Sequence, residues 1–349
     1  MGTPDGPPPR PQPGAHGDPD RPFPQPRPPR KGGEPHYTPF LVVRYAAGDA
    51  GGRPLAPGTV FWESPDVWTM GSMGVNQPVV GEPTQVFCRV TNFGLQDATG
   101  VTIKYYWADP SVAIVEDPTK LIGTITGATI TANNSVVFQS PADWIPIEVN
   151  NGHECLVAEA YVQVFDDLTD PAHPFNDRHV GQKNEHLIEV QPSQTFQFHL
   201  EALNFTSLEQ EVVIEARRGV IARDFALRFG RPERWKSPIL DPMRSLSVGI
   251  EISPEAIRST PLLTSGRTRE IETRGVGTPA AAMGCLAPPD VGISHRFRAS
   301  EVRRITIHGA LPPNAAPGEV HVIRISQRIG QVIVGGYTLY VTMDTGRPR

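Results

Sequence analysis

The sequence predicts an all-β protein, two tandem β-sandwiches behind a Pro-rich N-terminal tail. Three observations carry that reading. Pro (38) and Gly (33) supply about a fifth of the 349 residues, an excess that punctuates short strands and argues against a helical bundle. Apolar and polar residues alternate in segment after segment, with Gly, Asn and Pro between them. The length suits two domains of ordinary size, each able to bury a core. The net charge is −5 and the isoelectric point about 6.1, so no basic balance points to nucleic acid. No apolar run reaches the ~18 residues of a membrane-spanning helix.

Residues 1–39 hold 14 prolines and 6 glycines. They have little to bury and read as a disordered tail of polyproline II character. The tail lacks the charged start, apolar core and small-residue cleavage site of a Sec signal. That favours the cytoplasm and leaves export by a non-Sec route open. Its segments Pro22-Phe-Pro-Gln-Pro26 and Pro26-Arg-Pro-Pro-Arg30 have the composition of ligands for an aromatic groove, or of a solvated spacer.

The first folded unit is expected over 40–190. It opens with Phe40–Tyr45, and after a Gly/Ala/Pro-rich loop comes Thr59-Val-Phe-Trp62-Glu-Ser-Pro-Asp66-Val-Trp68. Pro83–Thr91 alternates, Asn92–Gly100 turns, and Val101–Trp107 is the next strand. Leu121–Ile130 and Ser135–Phe138 flank the turn Ala132-Asn-Asn134. His153–Val164 is a further strand, and His186–Val190 closes the unit. Period-2 segments at this spacing describe a β-sandwich.

Within this unit, Val79-Val-Gly81, Val86-Phe-Cys-Arg-Val-Thr-Asn-Phe-Gly94, Ala98 and Val101-Thr-Ile-Lys-Tyr-Tyr106 resemble the CARDB-type immunoglobulin-like modules of bacteria. Trp144-Ile-Pro, Gly152-His-Glu-Cys-Leu-Val-Ala158 and Asp177–Asn184 resemble their late strands, and Trp62–Trp68 their lead-in. The resemblance spans about 60–190. It implies an accessory sandwich of the kind found in adhesin-like and peptidase-associated proteins, with no catalytic residues to transfer and an exported or surface setting.

Cys88, Trp107 and Cys155 stand in the order of the immunoglobulin pattern, in which a disulfide between sheets packs on a Trp. A Cys88–Cys155 bridge is one expectation. Two reduced core thiols are the other. Position 153 carries His where a tyrosine corner would place Tyr. Cys285 falls in a separate loop.

The second unit is expected over 191–349 as another immunoglobulin-like sandwich. Thr195–Asn204 and Gln210–Arg217 are read as a pair across Phe205–Leu208. Ser245–Ile252 and Glu301–His308 follow. Glu319–Gln327 and Val332–Val341 form the last pair, turning at Ile329-Gly330. Ser253-Pro-Glu-Ala-Ile-Arg258 has the N-cap Ser and N1 Pro of a helical turn. It begins a long loop at about 253–296, either a binding loop or an insertion.

Searching for chemistry yields little. There is no Gly-x-Ser-x-Gly elbow, Walker loop, dinucleotide fingerprint or His-Glu-x-x-His, and the three cysteines form no Cys-x-x-Cys. The densest polar cluster is Asp166, Asp167, Asp170, His173, Asp177 and His179. It offers oxygen ligands for Ca²⁺, or His173, His179 and an Asp for Zn²⁺, against the alternative of a solvated turn. His153 and Cys155 share a strand face, as a Cys–His pair would require. Arg217-Arg218 and Arg231-Pro-Glu-Arg-Trp235-Lys236 make a basic-aromatic patch diluted by Glu215, Asp224, Glu233 and Asp241. Asn133-Asn-Ser135 and Asn204-Phe-Thr206 fit the glycosylation tripeptide.

The reading that follows is a non-enzymatic binding or assembly module that needs no cofactor. It meets a protein partner in trans through sheet edges, loops or an exposed Trp235. The alternative is a carbohydrate-binding or hydrolytic protein. Its site would lie between the sandwiches and bring Asp166 or Asp167 to Glu215 or Asp224, or display aromatics such as Trp235 and Tyr337 to a glycan.

Overall fold

The computed structural model describes residues 37–109, 111–114, 117–147, 154–190, 195–219, 246–259 and 291–343. Within them the chain is all-β. The first unit contains β1 (Leu41–Val42), β2 (Val67–Gly71), β3 (Gly74–Val75), β4 (Gln85–Asn92), β5 (Ala98–Ala108), β6 (Leu121–Ile130), β7 (Asn134–Gln139), β8 (Cys155–Tyr161) and β9 (Val180–Lys183). One turn of 3-10 helix, Pro118–Lys120, precedes β6 under an Asp117 cap.

One sheet centres on β4, with β7 along one side and β1 and β2 sharing the other. The facing sheet runs β6-β5-β8-β9. Val86, Cys88 and Val90 of β4 meet Val101, Ile103 and Tyr105 of β5 and Leu156, Ala158 and Ala160 of β8 in a shared core. These are every second residue of each strand, as strand geometry demands.

The second unit contains β10 (Glu185–Val190), β11 (Thr195–Leu203), β12 (Gln210–Gly219), β13 (Ser247–Ser259), β14 (Val291–Phe297), β15 (Glu301–Ala310), β16 (Val320–Ile329) and β17 (Val332–Met343). A five-stranded sheet, β10-β17-β16-β12-β14, faces a three-stranded sheet, β11-β15-β13. Phe198, Leu200, Ile305 and Ile307 pack against Val212, Ile214, Ile323, Ile325 and Leu339. β16 and β17 form the expected last hairpin, closed at Ile329↔Val332 with Gly330 at φ +59°.

Four expectations are corrected. The segment read as closing the first unit, 186–190, is β10, which pairs in parallel with β17. The crossing is fixed at Asn184, which donates Nδ2 to Gly336 O at 3.1 Å and accepts Thr338 N at 2.9 Å. Alternation marks a strand but not the sheet that takes it. β11 and β12 do not pair. They lie in opposite sheets, because the connection between them is tied down by Asn204, whose Nδ2 donates to Leu208 O, Phe297 O and Arg298 O.

The helical turn expected at Ser253–Arg258 is strand. β13 continues to Ser259 with register shifts around Ala256, so pairing with β15 overrides a local cap signal and the bulge accommodates Pro254. The loop expected at about 253–296 is accordingly shorter at both ends, and 260–290 lie outside the described residues. The tail at 1–36 lies outside them too.

β8 is buried on both faces. Leu156, Ala158 and Ala160 point into the first core, whereas Cys155 and Val157 join the core of the second unit along with Tyr106 and Val180. The outer face of the β5-β8-β9 sheet is therefore covered by the second sandwich.

Candidate functional site

The cluster singled out from sequence folds into a buried hub. Asp177, 2% exposed, spends Oδ2 on Thr169 N, Thr169 Oγ1 and Asp170 N, and Oδ1 on His179 N and Nδ1 at 2.9 and 2.6 Å. Asp166 accepts Leu41 N at 2.5 Å, pairs with Arg178, and lies 3.3 Å from His179 Nε2. The Arg178 guanidinium also stacks 4.0 Å over the Phe40 ring.

The charges are matched by this geometry. Burial alone would raise the Asp177 carboxyl. The His179 hydrogen bond and charge and the surrounding N–H groups outweigh it and hold Asp177 well below the usual carboxylate range. Burial alone would lower His179, but Asp166 and Asp177 on its two ring nitrogens outweigh that and raise it.

The other cluster members are separate. His173 sets Nδ1 2.8 Å from Asp170 Oδ1 and Nε2 3.1 Å from Ile114 O, with its ring against Phe175 and Phe205. Asp167 is exposed and accepts Leu168 N. Among the described residues no group of three or more His, Cys, Asp or Glu is arranged to hold a metal ion. Asp166 and Asp177 instead serve the chain itself, since their carboxylate lone pairs are engaged by its own donors. The turn alternative holds for part of the cluster: the segment is turns, with Asp167 exposed, whereas Asp166, Asp177 and His179 are buried.

Directly on this hub stands the feature the sequence reading missed. Val162 and Asp166 exchange two backbone hydrogen bonds of 2.9 Å, closing the short loop Gln163-Val164-Phe165. Val164 is 83% exposed and Phe165 74%. Val164 also sits at φ +78°, a left-handed conformation that a β-branched residue strongly disfavours. An apolar, strained tip therefore stands in water on a rigid base. Tyr37 and Leu95 are exposed at the same end of the sandwich, where β4 ends and β5 begins. Asp97 and Asp167 are also exposed. A β-branched residue in a tight loop followed by Phe was the available signal.

A second polar cluster joins the two units and explains the lead-in motif. Trp62, 1% exposed, lies on Gly336, where a Cβ would strike its ring, and donates Nε1 to Thr338 Oγ1 at 2.9 Å. Thr338 Oγ1 donates to Glu63 Oε1 at 2.7 Å, and Arg324 Nε reaches the same oxygen at 2.8 Å. Lys183 pairs with Glu185 at 2.7 Å. Asp66, fully buried, binds Arg44 through both carboxylate oxygens. Trp68 is half-buried and stacks on Phe87.

The remaining sequence candidates disperse. Cys88 and Cys155 are free and buried. They point into different cores, which overturns the Cys88–Cys155 bridge. Burial pushes the Cys155 thiol up to about 12 and Cys88 well above its usual value, which removes Cys155 as a nucleophile. Glu215 pairs with Arg217 and Arg328 inside the second unit and does not meet Asp166. Asn204 is fully buried and closed to glycosylation, whereas Asn133 is exposed. His153, Asp224, Trp235 with its basic neighbours, and Cys285 lie outside the described residues.

No family model matches the chain, and no curated protein matches it in sequence. Among solved structures it is similar to a family 123 glycoside hydrolase from Clostridium perfringens, at 10% identity and a TM-score of 0.25 over 46% of this chain. It spans only 23% of that enzyme. It is also similar to the CupB6 tip adhesin from Pseudomonas aeruginosa, at 10% identity and a TM-score of 0.21 over 89% of this chain and 99% of that one. The N-terminal domain of the Streptococcus gordonii adhesin Sgo0707 matches at 8% identity and a TM-score of 0.21, over 81% of this chain and 67% of that one. At such TM-scores no shared activity follows from any of them.

Proposed function

We propose that this chain is a non-catalytic binding or assembly module that engages a protein partner in trans through the tip Gln163-Val164-Phe165. We propose too that its first sandwich belongs with the CARDB-type modules its strands resemble. The observation that carries the reading is the Val164–Phe165 pair, apolar and exposed on a backbone that costs free energy to hold. Among the described residues neither side chain is buried to offset that cost, whereas seating a Val and a Phe side chain in a partner's pocket removes about 1.5–3 kcal/mol of apolar exposure each. The base suits the role. Asp166, His179 and Asp177 fix the loop without moving parts, so little ordering entropy is lost on binding. Asp167, exposed two residues after Phe165, favours a pocket with a basic rim.

The test places a photo-crosslinking phenylalanine analogue at 165 in the full chain, expressed in its source cells. The reading expects one dominant crosslinked protein and its loss in Phe165→Ser, with an unchanged melting temperature. Crosslinking spread over many proteins, or full retention of the partner by Phe165→Ser, would sink it.

A further inference from the structure

The outward face of β2, β4 and β7 is not the polar surface that strand alternation usually leaves on a half-buried sheet. Val86, Cys88 and Val90 of β4 point into the first core, so Phe87 and Arg89 point the other way. Trp68 lies opposite Phe87, and Val137 opposite Arg89. The rings of Trp68 and Phe87 stack with centroids 5.5 Å apart at 8°, and the Arg89 guanidinium lies 5.5 Å over the Trp68 ring. Both rings are half-buried, with Met70 and Val137 exposed beyond them.

Among the described residues no other parallel ring stack has both members open to solvent, since Phe198 in the stack with His186 is buried. Met73, Val80, Ile145 and Ile147 are exposed as well, but they bring no ring. Met70, Trp68, Phe87 and Val137 thus form a diagonal strip over three strands. It crosses two strand spacings of ~4.8 Å and four residues of ~3.3 Å, about 16 Å in all. Proline-rich segments dock on such aromatic surfaces, because the polyproline II helix is ordered in advance and loses little entropy on binding.

We propose that Pro22-Phe-Pro-Gln-Pro26 of the chain's own N-terminal tail docks on this strip. Three arguments select that segment. Five residues of polyproline II at ~3.1 Å each span about 16 Å, the length of the strip. The segment is uncharged and holds Phe23, the one Phe, Trp or Tyr among residues 1–36. The strip is uncharged too, and Arg89 beside it is paired with Asp66 at 3.4 Å, so no lone charge is stripped of water.

The third argument is reach. Leu41 and Val42 pair with Asn92 and Thr91, and Thr38 O sits where a Cβ on Gly94 would strike it. The tail therefore leaves from the far end of β4, in the same sheet as the strip. Phe87 is seven residues back along that strand, about 23 Å. The 11 residues from Pro26 to Tyr37 span about 34 Å. A tether of this length holds the segment near millimolar effective concentration, an advantage that no separate partner has. The contact uses none of residues 163–165, so it stands or falls independently of the partner-binding tip.

The experiment places a photo-crosslinking phenylalanine analogue at 23 in the full chain and maps the products by mass spectrometry. The expected product keeps the monomer mass and joins position 23 to the peptide that bears Trp68, Phe87 or Val137. Val137→Asp, at an exposed position, lowers its yield by about 10-fold or more. Val137→Ile and Phe165→Ser keep it. A second measurement leaves the folded unit untouched: Phe23→Ala shifts the Trp68 indole resonance of the full chain and leaves the Trp62 and Trp144 indoles in place.

Products scattered over the surface overturn the proposal, as does a yield unmoved by Val137→Asp or an unmoved Trp68 resonance. A crosslinked dimer would mean that the tail of a second copy takes the strip. A crosslinked foreign protein would mean that the segment serves a partner, and a product at 163–165 would put it on the tip. Each of these overturns docking in cis.

Discussion

Replacing Asp177 with Asn keeps the side chain's size and removes its charge. The native carboxylate serves two sets of donors. Oδ2 faces Thr169 N, Thr169 Oγ1 and Asp170 N, and Oδ1 faces His179 N and Nδ1. An amide has one acceptor oxygen and one NH₂ group, so in either orientation one set is left facing a donor. Breaking one side of a buried ion pair costs about 3–5 kcal/mol, and the lost bonds, at about 1.5–3 kcal/mol each to a charged group, are consistent with it.

In a chain this size each kcal/mol moves the melting temperature by about 2–4 °C, so a fall of about 6–20 °C is expected. The linkage has two signs. Asp177 is depressed, so its contribution is in place above the ordinary carboxylate pKa and is lost as pH falls through its lower folded value. His179 is raised, so its contribution is in place below about 6.5 and is lost as pH rises through its higher folded value. Urea unfolding at several pH values, with the His179 imidazole followed by NMR, checks both. In Asp177→Asn the His179 pKa should fall. A stability loss below about 1 kcal/mol, or an unmoved His179 titration, would refute the hub as the base of the tip.

Further outcomes follow from the same structure. Val164→Gly should stabilise the chain by up to about 1.5 kcal/mol, since left-handed strain of ~1–2 kcal/mol is relieved against glycine's entropic cost of ~0.5–1 kcal/mol. It should also weaken partner retention, and a net stability loss in calorimetry would contradict the strain. Trp62→Ala should cost about 3–5 kcal/mol, and it should raise the rate of proteolysis between the units because the Gly336 and Thr338 contacts go with it. In a Cys285→Ser background, Ellman's reagent should find no fast thiol in the native chain and two after unfolding. A fast native thiol, or a mobility shift on non-reducing gels, would contradict two buried free cysteines.

Much of the strand content was legible because alternation needs only the residues themselves. Val86-Phe-Cys-Arg-Val and Phe196-Gln-Phe-His-Leu announce strands that each bury one face. Pairing was less legible. The segments that became β11 and β12 are neighbours in sequence and strangers in space, since the Asn204 knot that separates them is built from carbonyls nearly a hundred residues away. The cysteine pattern misled for a related reason. Cys-Leu-Val-Ala is apolar on both faces, as suits a strand between two cores, and only the second core tells Cys155 to turn away from Cys88. The polar cluster was found by composition, but its role depended on which donors the fold brought to it.

By itself the sequence determined the secondary-structure class, the positions of many strands and the residues that pack inside each sheet, because these follow from side-chain alternation and local turn chemistry. The tertiary structure decided which sheet each strand joined, how the lead-in Trp62-Glu63 locks to Thr338 and Arg324, and why Asp166, Asp177 and His179 form a structural hub. It also decided that Val164 and Phe165 stand in water. Most of those properties depend on contacts between residues distant in the chain, which local patterns do not encode.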